Sequence, residues 1–354
     1  MKVGILGAGA MGGSVIKAIR DEPGVDEIVA LDIRPERVRQ LRDELGVTAT
    51  DSLAAVLDDP EVKLVFVTAS NAAHAPLTLA ALEAGKAVMC EKPIATTLAD
   101  AERVVRTAEA KGAFLQIGFE LRYSKLYTQV KNWIDQGLLG DVVNTQCNYI
   151  CEEFHKKGSW RNRLETGGGM FGEKLSHYVD LPRWWVGSPV KDVFAVCAPN
   201  VVPYYEVHDN YHAIYRFANG AVSELTFVMY MAQTYQGDPL KDFIATQSQD
   251  GHELRFRIIG TRGAVETDVF NRRVRRWEFG DAPERMISTL VEEATWTREE
   301  DSRHFHNEDG QNRDIVRRVL AGEPPATPAR DALETMRLVF AAEQSADSGE
   351  LVSV

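Results

Sequence analysis

The chain has 354 residues, 44% hydrophobic and 26% charged, with a formal net charge of −12 and an isoelectric point near 5.3. That length exceeds what one hydrophobic core usually supports, so two domains are expected, and nothing in the composition forces disorder. The acidic balance argues against a nucleic-acid partner, since phosphate backbones are gripped by clustered Lys and Arg, and no apolar run is long enough to cross a bilayer.

Lys2 to Leu6 reads as a buried strand, Gly7-Ala8-Gly9-Ala10-Met11-Gly12 follows at once, and Ser14 to Arg20 continues with helical spacing. The opening MKVGILGAGAMGG has the look of a signal peptide, but its apolar segment is short and broken by glycines. A strand, a glycine turn and a helix in that order form a phosphate cradle. Gly7 makes the turn, Gly9 admits a pyrophosphate, Gly12 lets helix and strand close up, the helix N-terminus favours the anion, and Ala10 and Met11 between the glycines are expected at the cofactor too. A second strand, Glu27 to Leu31, ends at Asp32, twenty residues beyond Gly12, where a carboxylate accepts from ribose hydroxyls. Such a carboxylate repels an additional 2′-phosphate, so NAD is expected; Arg34 keeps NADP open.

A charged helix from Pro35 to Leu45 follows, then strands at Lys63 to Ala69 and Ala87 to Cys90 around an alanine-rich helix from His74 to Ala84. A helix from Thr97 to Lys111 and a strand from Phe114 to Gly118 complete the alternation, which implies a parallel sheet covered on both faces. Directly after Cys90 comes Glu91-Lys92-Pro93, which puts a lysine at the carboxyl edge of that sheet, where a nicotinamide would lie. Cys90, Cys147, Cys151 and Cys197 include no CxxC, which points to reduced thiols and a cytoplasmic setting.

Downstream the pattern changes. Gly167-Gly168-Gly169 opens a helix from Met170 to Trp185, on which Glu173, His177 and Asp180 share a face, and Pro182 is expected to kink or end its first part. Long strands at 142–151, 193–197, 211–217, 221–230 and 254–259, with Asn219-Gly220 as a hairpin turn, indicate an antiparallel-type sheet. In strand 221–230 both faces carry apolar groups, so one is expected on helices and the other on a second subunit, giving a homo-oligomer, a dimer or tetramer. The basic run NRRVRR at 271–276 reads as a solvated strand face. His208 with His212, and His304 with His306, lack cysteines or a third ligand at finger-like spacing, so no metal is expected.

Seven segments taken in order resemble the Gfo/Idh/MocA family, the glucose-fructose oxidoreductase and inositol dehydrogenase group. They are GAGAMG (7–12), VTASNAAH (67–74), EKP (91–93), LQIGFELRY (115–123), SWR (159–161), GGGMFGEKLSHYVD (167–180) and IIGTRGAVE (258–266). The resemblance implies an α/β protein: a Rossmann doubly wound parallel sheet over 1–119, then an α+β substrate and oligomerisation domain over 120–354 with a large, mainly antiparallel open sheet. It implies a hydride transfer between NAD and a carbinol of a sugar or cyclitol, with Lys92 on the reacting oxygen. Ala69, Ser70, Asn71, His74 and Glu91 would line the cofactor channel, although His74 also reads as a structural histidine.

His177 matches the family's histidine, and an imidazole, which titrates near working pH, suits the general acid/base. The family's aspartate four residues before it is Glu173 here, a departure that leaves substrate identity open: the carboxylate can meet a different hydroxyl or pair with Lys92 or Lys174. Tyr123, Trp160, Arg161 and Asn162 are further candidates for the substrate surroundings. Two other readings remain: a hydrolase or lyase that oxidises a sugar transiently and returns the hydride, and a non-catalytic dinucleotide or sugar sensor.

Overall fold

Strands buried on both faces need apolar side chains on both, and the nearly continuous apolar runs of the first 120 residues fold accordingly. In the computed structural model, which describes residues 1–153, 155–234 and 251–354, they form β1 (Lys2–Leu6), β2 (Glu27–Leu31), β3 (Thr48–Thr50), β4 (Val62–Val67), β5 (Ala87–Cys90) and β6 (Leu115–Ile117). These make a parallel sheet in the order β3-β2-β1-β4-β5-β6. The order reverses between β1 and β4, and sheets of this kind bind ligands outside the carboxyl ends of the strands at such a reversal.

Five helices alternate with these strands: α1 (Ala10–Ile19), α2 (Pro35–Leu45), α3 (Ala54–Leu57), α4 (Asn71–Glu83) and α5 (Leu98–Lys111). A helix from much later in the chain, Glu308–Ala321, belongs to the same unit. Its Ile315 and Val316 lie in one core with Val15, Ile16 and Ile19, and Arg313 Nε donates to the Ala18 carbonyl at 3.1 Å. The first unit comprises Met1–Glu120, Glu165–Gly168 and Asn307–Arg337; the second comprises Leu121–Leu164, Gly169–His306 and Leu338–Val354.

The second unit is built on nine strands: β7 (Val142–Cys151), β8 (Val190–Val196), β9 (Asn210–Phe217), β10 (Val222–Met229), β11 (Glu253–Gly260), β12 (Gly263–Asp268), β13 (Arg273–Asp281), β14 (Met286–Thr295) and β15 (Val352–Ser353). Their order is β14-β13-β12-β11-β7-β10-β9-β8-β15, antiparallel throughout except that β7 and β10 run parallel. β11 shows the period-two logic: Leu254, Phe256 and Ile258 are buried, with Arg255 and Arg257 alternating between them. The buried face lies under the helices Lys125–Asp135 and Ser176–Val186, where the Phe256 ring meets Tyr127 at 6.0 Å and Trp185 at 5.0 Å.

The basic run at 271–276 is not a solvated face: Arg272 and Arg276 are buried, Arg272 Nε donates to the Asp301 carbonyl at 3.0 Å, and Arg276 Nε reaches Glu292 at 2.8 Å. The cause is cross-strand register, since Arg276 faces Glu292 on β14 and Arg275 faces Glu266 on β12. The helix expected over 170–185 begins as a π-turn at Phe171–Leu175 and turns α-helical only at Ser176, running through Pro182 to Val186. The helical irregularity therefore lies at the glycine-rich start, not at the proline.

Candidate active site

In the first unit, the glycine turn is built around positive φ and close packing. Gly7 has φ +92°, and a Cβ there would overlap the Ala69 backbone; a Cβ on Gly12 would sit 2.7 Å from the Gly7 carbonyl oxygen. Thr68 Oγ1 ties the turn by donating to that carbonyl at 2.8 Å. No side chain caps the start of α1 at Gly9, and Ala10 and Met11 at that end remain at the surface, so the first amides and the helix dipole face an incoming anion. These features fit the pyrophosphate of a dinucleotide.

Asp32 is buried, and its carboxylate takes Arg34 Nε at 2.9 Å, Arg34 Nη2 at 3.0 Å and the Arg34 backbone N–H at 3.0 Å. Burial alone would raise its pKa; the Arg34 hydrogen bonds outweigh it and hold the carboxyl below the usual range, so it is ionised at neutral pH. Arg34 is thereby committed to Asp32, which favours the ribose hydroxyls of NAD over an additional phosphate. Sequence reasoning missed Arg37: its Nε donates to the Ala8 carbonyl at 2.6 Å and Nη2 to the Gly9 carbonyl at 3.2 Å, bracing the turn with a positive charge. A lone arginine on a charged helix carried no signal of that contact.

The loops after β4 and β5 stand at the same sheet edge. Ala69 and Ser70 are partly exposed, whereas Asn71 is buried and donates Nδ2–H to the Gly167 carbonyl at 2.8 Å, tying the first glycine of the later triplet to this edge. His74 is buried too, its Nδ1 2.6 Å from the Pro93 carbonyl and Nε2 3.2 Å from the Ala69 carbonyl, so it bridges the two loops. Burial pulls its pKa down to about 4, so the ring is neutral and its single N–H donates to one of these two carbonyls. Lys92 is partly exposed among buried neighbours.

Glu91 is buried beside Lys92, and its carboxyl is pushed up to about 8 by burial first and by repulsion from Glu120 second. The unfolded chain releases this proton from about pH 4.5, the folded chain only near pH 8, so stability falls as pH rises between those values. Glu91→Gln is therefore expected to raise the melting temperature relative to the parent progressively from pH 5 to pH 8. Thermal melts across that range check this, and a difference that stays constant with pH counts against it.

In the second unit, Glu173 lies within the π-turn with its side chain 10% exposed. Its carboxylate takes His155 Nε2 at 3.0 Å and Arg161 Nε at 2.8 Å, partners the sequence did not name. The Arg161 guanidinium also covers the Trp160 ring at 4.6 Å. His177 is buried just beyond, edge-on to His306 at 6.3 Å. Asn162 is buried and donates to the carbonyls of His155 and Lys156 at 3.2 and 3.1 Å, so it locks the loop carrying Trp160 and Arg161. Tyr123 ends a short 3₁₀ turn, Glu120–Tyr123, partly buried. His208, set aside as a ligand for want of a cysteine, has Cys197 Sγ 3.2 Å from Nδ1 and Asp347 3.1 Å from Nε2.

Asp180 shares the helix with His177 but holds a different partner: Arg122 Nε and Nη2 each donate to it at 2.7 Å, a buried bidentate pair. Asp180→Ala would leave a buried guanidinium without this carboxylate and is expected to destabilise by about 3–5 kcal/mol. Urea unfolding followed by tryptophan fluorescence reads the loss; a change below about 1 kcal/mol contradicts the assignment.

Residues 1–119 match the family model described as an oxidoreductase family with an NAD-binding Rossmann fold, and residues 127–266 match the GFO/IDH/MocA C-terminal domain. The chain belongs to the Gfo/Idh/MocA family. Among its members, an inositol 2-dehydrogenase of Salmonella typhimurium is 34% identical over 197 residues, a stretch covering 54% of this chain and 56% of that one. The match thus spans little more than half of that relative's length. A myo-inositol 2-dehydrogenase of Thermotoga maritima is 23% identical over 370 residues, covering 100% of this chain and 98% of its own. Among solved structures, a levoglucosan dehydrogenase in complex with NADH and levoglucosan has the same fold, with a TM-score of 0.79 at 20% identity, covering 100% of this chain and 99% of that one. Both the Rossmann sheet and the large mixed sheet are thus family features, and NAD is the family's cofactor. No helix among the described residues is long and apolar enough to cross a membrane.

Proposed function

We propose that this protein is an NAD-dependent dehydrogenase that oxidises a secondary carbinol of a sugar- or cyclitol-like molecule. The observation that carries the reading is the place of Lys92. It stands partly exposed just past β5, at the same carboxyl edge as the glycine turn after β1 and the loop 69–71 after β4, where a bound dinucleotide presents its nicotinamide. When bound, NAD supplies the acceptor for the carbinol hydride. Lys92 donates a hydrogen bond to the reacting oxygen and offsets the charge that builds on it, and His177 takes the hydroxyl proton.

Glu173 and Arg161 form an ion pair in which acceptor and donor lie side by side, suited to adjacent hydroxyls of a polyol; Trp160 and Tyr123 offer flat apolar faces for its C–H surface. Asn162 acts by holding that loop. The inositol 2-dehydrogenase named among the relatives supports a cyclitol or similar polyol as the substrate. Phe194, Val196 and Ile214 are exposed on β8 and β9, which supports a homo-oligomer through that sheet face. Four free cysteines suit a cytoplasmic setting.

The test follows NADH absorbance with purified protein, NAD or NADP, and a panel of myo-inositol, other cyclitols, aldoses, sugar acids and glycosides. Turnover with NAD supports the reading and names the substrate class. NAD binding without absorbance change on any compound overturns it; glycoside cleavage without net NADH then identifies internal redox cycling, and neither activity a sensor.

A further inference from the structure

We propose that Glu343, on the C-terminal helix Ala329–Ser348, is a positioning residue that fixes the start of the helix bearing Glu173 and His177. The proposal rests on the roles proposed above for those two residues. Glu343 stands 170 positions beyond Glu173 in the sequence, and two hydrogen bonds of the second unit converge on its carboxylate, which also lies against Gly169.

Oε1 accepts the Phe171 backbone N–H at 3.0 Å, Oε2 accepts the Tyr211 hydroxyl at 2.6 Å, and Oε1 fills the space that a Cβ on Gly169 would occupy. Phe171 is the first residue of the π-turn, and its amide is one of the donors that a helix start leaves without an intrahelical partner. A carboxylate on that amide also complements the helix dipole. The Phe171 and Tyr211 rings lie 4.4 Å apart, so amide, ring and hydroxyl are clamped together.

The consequence is geometric. Glu173 is the third residue of the π-turn and its backbone N–H donates to the Gly169 carbonyl at 3.0 Å, so the peptide that Glu343 packs against also begins the helical ladder. π-turns are a rare form that recurs at functional sites, and a hydrogen bond from outside the helix to the first residue of this one holds its register. If the turn relaxed to ordinary α-helix, every side chain after it would rotate relative to the preceding chain, His177 included. Gly169, at φ +91°, is required by the same contact: it leaves room for the carboxylate as well as the left-handed turn.

Glu343→Gln keeps the shape but places an amide N–H₂ against one of two donors, Phe171 N–H or Tyr211 O–H. Tyr211→Phe removes one donor and keeps the ring contact, which guards against a variant that fails to fold. Gly169→Ala presses on the carboxylate from the opposite side. Two readouts are taken on the full-length protein: deuterium uptake of peptides spanning 169–180, and steady-state kinetics with NAD and myo-inositol or whichever panel compound is turned over. Faster exchange at 169–180 in Glu343→Gln and Gly169→Ala, with kcat lowered about ten- to a hundredfold and the KM for NAD unchanged, is the expected result. Tyr211→Phe is expected to move both readouts the same way and less far. Unchanged exchange, or faster exchange with parental kcat, overturns the proposal. Parent protein that turns over no compound defeats the dehydrogenase reading itself, a result distinguishable because it appears before any substitution is made.

Discussion

Lys92→Ala is expected to lower kcat by about 10²- to 10³-fold while leaving the dissociation constant for NAD within a factor of a few. The lysine and the glycine turn are expected to serve different steps. On the proposed reading pyrophosphate and ribose would be held at the ends of β1 and β2, by the α1 N-terminus, Gly9 and Asp32, none of which touches Lys92 in the contacts described. In the proposed role the ammonium would act where negative charge grows during the reaction, so its removal should be felt in turnover more than in binding. Stopped-flow binding by NADH fluorescence, set beside steady-state kcat, distinguishes the two. Lys92→Arg is expected to recover little, because a planar guanidinium fixes its donors in a fork and cannot replace a compact ammonium aimed at one oxygen. A Lys92→Ala protein within threefold of the parental kcat would remove the residue from the chemistry.

The first unit was legible because its determinants are local. Buried runs such as VKLVFV mark strands covered on both faces, and a glycine turn between strand and helix requires no distant partner to be recognised. Asp32 could be placed by spacing alone. Arg34 could not be resolved, since only geometry shows its guanidinium closed onto that carboxylate instead of offered to a ligand. Nor did the sequence hint that Glu308–Ala321 would share the core of α1, because its apolar spacing fits any helix-covered surface.

In the second unit, periodicity revealed strands but not their neighbours. The parallel β7–β10 pair lies between strands joined antiparallel to the rest, and alternation within a strand is indifferent to the direction of the next. The site's polar contacts were illegible for a related reason. Glu173 with His155 and Arg161, Asp180 with Arg122, and Phe171 with Glu343 each join residues 12 to 172 positions apart, and hydrogen-bonding capacity says nothing of which partner is near. The π-turn coincides with one of those distant contacts, Glu343 on the Phe171 amide, and a helical pattern over 170–185 could not disclose it.

His177→Gln is expected to lower kcat/KM by about 10²- to 10⁴-fold and to change the shape of its pH dependence. A general base works only when deprotonated, so in the parent the rate should rise with pH until the imidazole has lost its proton and then level off. Glutamine, which does not titrate in this range, should flatten that limb and leave a slow residue of activity that does not follow an imidazole titration. The buried environment makes the assignment testable against its neighbours. His74 is neutral, with its pKa drawn down to about 4 by burial, so His74→Gln is expected to leave the limb in place. Burial pushes the Glu91 carboxyl up to about 8, which couples it to folding, so Glu91→Gln is expected to move the melting temperature without removing the limb. The rate limb should therefore disappear in His177→Gln alone of the three variants. If it persists there, another group takes the proton, and His177 holds the helix surface instead.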